Sequence, residues 1–400
     1  MKKSKVFLLA AVGLLSVGVL TACSSSSKTS GKTYNYVYGG DPATLDYVST
    51  NKKNMTTAVS NGVDGLFEND QYGNLKPSVA ENWSVSQDGL TYTYKIRKGI
   101  KWYTSDGEEY ANVTAKDFVT GLKHAADTNS EAIYLLQNSV KGLNDYLSGA
   151  NKDFSNVGIK AVDDYTFQYT LSQPEPYWNS KLTYSVTWPV NGDFLKSKGK
   201  DFGKSTDPTS ILYNGPYLLK ALTTKSSIEF TKNENYWDKD HVYFDNIKLT
   251  YDDGSDQESL ERNFTDGVYN LARLFPTSSN YSKVEKQYKD NIFYTQPGSA
   301  VEGVGINIDR QTYGHTSKEN DQQKTSTKTA LLNKDFRQSL GFAIDRTNYA
   351  AQLNGKEGGS TAVRNIYVKP DFVQADGKDF GTMVMDQLPS YGDEWSGVNF

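Results

Sequence analysis

Residues 17–32, VGVLTACSSSSKTSGK, hold the only cysteine of a 400-residue chain, placed where an apolar run gives way to serines. Lys2, Lys3 and Lys5 precede that run, which extends from Val6 to Leu20. Basic residues followed by a short apolar core are the order of a secretory signal peptide. A membrane-spanning helix needs about 20 apolar residues, more than this run offers before it stops. An exported chain with one thiol has no internal disulfide, so its fold is expected to be held by packing alone.

Leu20, Thr21, Ala22 and Cys23 resemble the lipobox of bacterial lipoproteins, an aliphatic residue and two small ones before a cysteine. The resemblance implies that residues 1–22 are removed and that Cys23, joined by a thioether to diacylglycerol, becomes the N-terminus. Stable anchoring takes two or more acyl chains, because one of myristoyl length binds only marginally. Residues 23–32 then read as a lipidated, flexible tether, since serine and glycine bury too little surface to order it. Losing residues 1–22 removes three lysines and no acid, which moves the formal net charge from -4 to about -7. No basic cluster remains as a footprint for nucleic acid.

The length fits two or three domains. Tyr34, Tyr36 and Tyr38 alternate with Thr33, Asn35 and Val37 and predict a strand over 33–39. Val59, Val63 and Leu66 predict a helix over 54–67. Asp88-Gly89 predicts a turn, followed by a strand that buries Leu90, Tyr92, Tyr94 and Ile96. Thr114 and Asp117 form a capping-box pattern ahead of Phe118, Leu122 and Ala125. The strand 163–171 is expected to bury its aromatic face, Tyr165, Phe167, Tyr169 and Leu171, and Pro174 and Pro176 follow it. Further on, 213–219 reads as a turn entering a strand and 227–238 as a strand running into a loop. Segment 247–264 reads as a strand leading to a helix capped by Ser255 and Glu258. The polar stretch 311–330 is expected to be a surface loop, and 333–346 a helix with Phe336, Leu340, Ala343 and Ile344 on one stripe. Strands alternating with helices, without a short repeat, favour a mixed α/β architecture.

His124, His241 and His315 are far apart and show no zinc spacing, so no metal is expected. The aspartates of 252–256 miss the spacing of a calcium loop. No nucleophile elbow or phosphate loop occurs, and no catalytic residue is assigned. The chain has 47 acids, enough to supply a carboxylate pair, so a surface-anchored hydrolase, a glycosidase or peptidase, stays open as the alternative function. The 28 tyrosines are expected mostly in strand-face cores; the rest would suit a cleft for large, variable ligands.

The run PSVAENWSVSQDGLTYTYKIRKGIKW at 77–102, with NGPY at 214–217, NENYWDKD at 233–240 and FRQSLGFAIDR at 336–346, resembles the family-5 solute-binding proteins of ABC importers. With the lipobox, DPATLD, VTAKDFVTGLKHA and the run from Tyr251 to Pro276, the chain is similar to the Ami/Ali-type oligopeptide-binding lipoproteins of streptococci. The resemblance implies a bilobal, type II periplasmic-binding-protein-like α/β fold with an additional domain. Lobe I would take 33–66 and 185–300, the additional domain 67–184, and the second lobe, incomplete in this chain, would begin at 301. Proteins of this type are longer, and their carboxylate for a peptide's amino terminus would lie past Phe400.

The implied function is a lipid-anchored receptor on the outer face of the cell membrane. It would act as a monomer without cofactor, capture oligopeptides and deliver them to the permease and ATPase subunits of an importer. A peptide would add as a strand, bonding main chain to main chain while its side chains enter hydrated pockets. The loop YVSTNKK at 47–53 is the matching edge, with Thr50, Asn51 and Lys52 as peptide-binding candidates. Asn214, Gly215 and Tyr217 match a turn near the cleft, with a purely structural turn as the other reading. Tyr236 and Trp237 read as packing or cleft wall, and Asp345 and Arg346 as helix-end residues.

Overall fold

Thr33–Tyr38 forms the strand its alternating tyrosines predict, with Tyr38 buried and Tyr34 and Tyr36 packed partly against the core. The computed structural model describes residues 31–293, 303–363, 368 and 372–387; the export signal, Cys23 and nearly all of the tether lie outside them. Two compact units result. One holds residues 31–68 and 75–253 of the described chain, the other 69–74 and residues from 254 on.

The first unit contains two four-stranded sheets. In one, Thr33–Tyr38, Asn246–Tyr251, Ser227–Lys232 and Tyr217–Thr223 lie side by side in that order, the first pair parallel and the others antiparallel. In the other, antiparallel throughout, the order is Ala80–Val85, Thr91–Ile96, Thr166–Thr170 and Ile159–Asp163. Gly89 has φ 71° and turns the first two strands of this sheet back on each other. Period-two alternation then drives Tyr92, Tyr94 and Ile96 inward, and Phe167 and Tyr169 meet them from the next strand. Tyr165, assigned by its period to the same face, is only half-buried, because the strand begins one residue later, at Thr166.

Helix Ala115–Asp127 covers the second sheet, with Phe118, Leu122 and Ala125 fully buried. Its capping box forms as the sequence predicts: the Thr114 N–H donates to Asp117 Oδ2 at 2.9 Å. The same oxygen accepts the Trp102 indole N–H at 2.9 Å. Burial still raises the Asp117 carboxyl to about 6, against these donors.

Three local expectations change. The helix predicted over 54–67 ends at Val59; Val63 and Leu66 are buried as foreseen, but on a turning path. Gly62 and Gly65 press there against the rings of Tyr213 and Trp188, leaving no room for a helix to continue. The helix after Asn246–Tyr251 spans Ser259–Thr265 with Glu258 at its N-cap, and Asp256 accepts the Glu258 N–H at 3.1 Å. Segment 311–330 is not all loop, because Asp321–Leu332 is helical behind a reciprocal Asn320–Gln323 box.

In the second unit Lys334–Ala343 is helical, capped by Asn333. Its expected stripe is largely uncovered among the described residues, with Phe336, Leu340 and Ile344 all exposed. Asp345 and Arg346 open the following helix, Asp345 accepting the Asn348 N–H at 2.9 Å.

Candidate functional site

Segment 46–52 leaves the first sheet and is tied down residue by residue. Asp46 Oδ2 lies 2.8 Å from His124 Nε2 near the end of helix Ala115–Asp127, and Asp46 Oδ1 is buried without a hydrogen-bond partner among the described residues. The buried Tyr47 hydroxyl donates to the Pro189 carbonyl at 2.8 Å. Beyond the helix, Asn129 adopts φ 52° and the Ser130 N–H returns to the Ala125 carbonyl at 2.8 Å, which turns Glu131 back toward the segment. The Glu131 N–H then donates to the Ser49 carbonyl at 3.0 Å.

The side chain of Glu131 takes two of the next three residues. Its Oε2 accepts the Thr50 hydroxyl at 2.5 Å, and Lys52 Nζ lies 3.4 Å from Oε1. The Thr50 bond foremost, aided by Lys52 and the Asn51 amide, holds the Glu131 carboxyl below the usual carboxylate range. Thr50 is buried, whereas Asn51 and Lys52 are exposed. Among the described residues nothing donates to the carbonyls of Thr50 and Asn51. Glu131 therefore braces the segment 49–52 that holds the three sequence-predicted residues. Glu131 is the residue that sequence reasoning missed, since no local pattern marks a carboxylate whose partners lie some eighty positions earlier.

The other three candidates bond elsewhere in the fold, away from Glu131. Asn214, 1% exposed, clamps Asp64: its Oδ1 accepts the Asp64 N–H at 2.8 Å and its Nδ2 donates to the Asp64 carbonyl at 3.2 Å. Gly215 is needed for close approach, because a Cβ there would stand 2.8 Å from the Gly62 carbonyl carbon. The Tyr217 hydroxyl donates to the Phe244 carbonyl at 3.0 Å.

Asp64 is itself enclosed by this turn. Burial pushes its carboxyl up to about 7, against the Tyr236 hydroxyl, which donates to Oδ2 at 2.8 Å, while Glu68 adds repulsion. Trp237, half-exposed beside it, lies under the Arg97 guanidinium at 4.5 Å. The unfolded chain releases the Asp64 proton near pH 4. The folded chain keeps it to about 7, so the stability of the neutral form is complete below pH 4 and lost as pH rises to about 7. Asp64→Asn should remove that loss. Its melting temperature relative to wild type should climb by several degrees between pH 4 and 8, at about 2–4 °C per kcal/mol for a unit of this size. Parallel melting curves across that range would contradict the assignment.

The comparisons follow the geometry. A family model described as "Bacterial extracellular solute-binding proteins, family 5 Middle" matches residues 74–379. The oligopeptide-binding protein AmiA of Streptococcus pneumoniae is 67% identical over all of this chain and 61% of its own length. SarA of Streptococcus gordonii, also named an oligopeptide-binding protein, is 59% identical over 100% and 62%. The chain thus spans about three fifths of the length of the curated relatives it matches. Among solved structures, Listeria monocytogenes OppA bound to peptide superposes with TM-score 0.64 at 26% identity, covering 87% of this chain and 63% of that one. The pheromone receptor PrgZ superposes with TM-score 0.68 at 24% identity, over 90% and 68%, a likeness of fold.

Proposed function

The chain belongs to the bacterial extracellular solute-binding proteins of family 5, and from that premise we propose that it is an oligopeptide receptor of an ABC importer. The observation that carries this reading is identity at the 67% level along the entire chain to a protein named for oligopeptide binding. The named relatives are binding proteins rather than enzymes, which favours the receptor over the surface hydrolase. The braced turn at 49–52 supports the mode of capture. The carbonyl of the exposed Asn51, without a donor among the described residues, is a group with which any peptide backbone can pair, so affinity would depend little on the peptide's sequence.

Thr50, Asn51 and Lys52 form the proposed edge; Asn214, Gly215 and Tyr217 act behind it by fixing the turn 61–64. Lobe I takes 33–66 and 185–300, the additional domain 67–184, and the second lobe begins at 301. Cys23 carries the lipid that holds the monomeric receptor at the outer face of the membrane, where permease and ATPase subunits receive the peptide. No helix among the described residues is long and apolar enough to cross a membrane itself.

Isothermal titration of the full, unlipidated chain with a pool of random-sequence hexapeptides tests the reading, followed by chromatography of the recovered pool. Saturable binding with peptides returned uncut is the expected result. Absence of heat across the pool, or cleavage of its members, would reject it.

A further inference from the structure

We infer that Glu131 is the positioning residue of the peptide-binding edge, a role that rests on the receptor reading above. Three residues of the edge end on this one side chain and its backbone: Ser49 through the Glu131 N–H, Thr50 through its hydroxyl and Lys52 through its ammonium. A surface turn with so many donors spent on one acceptor loses its freedom before a ligand arrives, and preorganisation of this kind raises affinity by lowering the entropy lost on binding. The geometry also divides labour within the turn. Glu131 takes the Thr50 hydroxyl, while the carbonyl of the exposed Asn51, which accepts nothing among the described residues, stays available to a peptide's N–H. Half of the Glu131 side chain is in solvent, so screening weakens its pairing with Lys52 and the hydrogen bonds to Thr50 and Ser49 carry the role.

Titration of the same hexapeptide pool against variants reads this role. Glu131→Ala should weaken affinity about tenfold, and Thr50→Val, which removes the hydroxyl, should act in the same direction. Thr50→Ser, which restores it, should bind as wild type does. Glu131→Gln should fall between, since its amide oxygen can accept from Thr50 but cannot form an ion pair with Lys52. Amide exchange at Lys52, whose N–H donates to the Thr50 hydroxyl at 3.3 Å, gives a readout that needs no peptide: it should quicken about tenfold in Glu131→Ala and stay slow in Thr50→Ser.

If wild type binds the pool and Glu131→Ala binds it equally well, the inference is wrong. Should Glu131→Ala not fold, Thr50→Val against Thr50→Ser decides: equal affinity in that pair overturns the inference, and loss rescued by serine supports it. A wild-type chain that binds nothing rejects the receptor reading, and with it the ligand role of Glu131. Exchange at Lys52 would then still show whether the carboxylate holds the segment.

Discussion

Lys181→Met should lower the unfolding free energy by about 3–5 kcal/mol, the cost of leaving a buried carboxylate without its counter-ion. Glu175 is 4% exposed and its Oε2 lies 2.8 Å from Lys181 Nζ, which also donates to Ser139 Oγ at 2.7 Å. The Glu175 backbone is fixed as well, its carbonyl accepting the Tyr92 hydroxyl at 2.8 Å and the Trp178 N–H at 2.9 Å, so the residue cannot relieve an orphaned charge by shifting its main chain without breaking both bonds. Methionine follows the lysine stem past Tyr177 and Trp178, which confines the loss to charge and hydrogen bonding. Adding Glu175→Gln to Lys181→Met should restore a large part of the stability, because the orphaned charge is then gone. Urea unfolding followed by tryptophan fluorescence is the measurement, since five of the six tryptophans lie within 31–253. A single variant within about 1 kcal/mol of wild type would show the pair to be solvated in solution.

How much of this molecule could be read beforehand depends on the distance over which each feature is encoded. Alternation announced Thr91–Ile96 and Thr166–Thr170, because a strand with one buried face writes its own period. The Thr114–Asp117 box was equally local. Val63 and Leu66 showed that they would be buried but not by which path, since the stop at Val59 is enforced by Tyr213 and Trp188, more than a hundred residues away. Asp321–Leu332 was hidden for the opposite reason: its sequence is polar on most sides, leaving only the Asn320–Gln323 pair as a signal. The family was legible because several motifs agree in order, and the matches along the whole chain confirm it. Thr50, Asn51 and Lys52 came from that resemblance, whereas Glu131 meets Thr50 and Lys52 only through the fold, as His124 meets Asp46.

Phe167→Ala should be as costly as the loss of Lys181, at about 3–5 kcal/mol, but through an empty space instead of an orphaned charge. Phe167 is fully buried, with its ring stacked on Phe118 at 4.9 Å and 9°, on Tyr94 at 5.4 Å, and edge-on to Tyr169 at 5.7 Å. Phe118 comes from helix Ala115–Asp127 and the other two from the sheet, so this ring joins the two layers. Truncation removes contacts on all three sides at once, and packed aromatic neighbours have little freedom to close the gap. Phe167→Leu fills much of the volume and should cost much less. The helix also carries His124 and leads through Asn129 to Glu131, so loosening its seat should quicken amide exchange at Ser130 and Glu131 before the unit unfolds as a whole. If the alanine variant lost under about 1 kcal/mol, the layers would have to collapse around the missing ring, and the turn at 49–52 could not depend on this helix for its place.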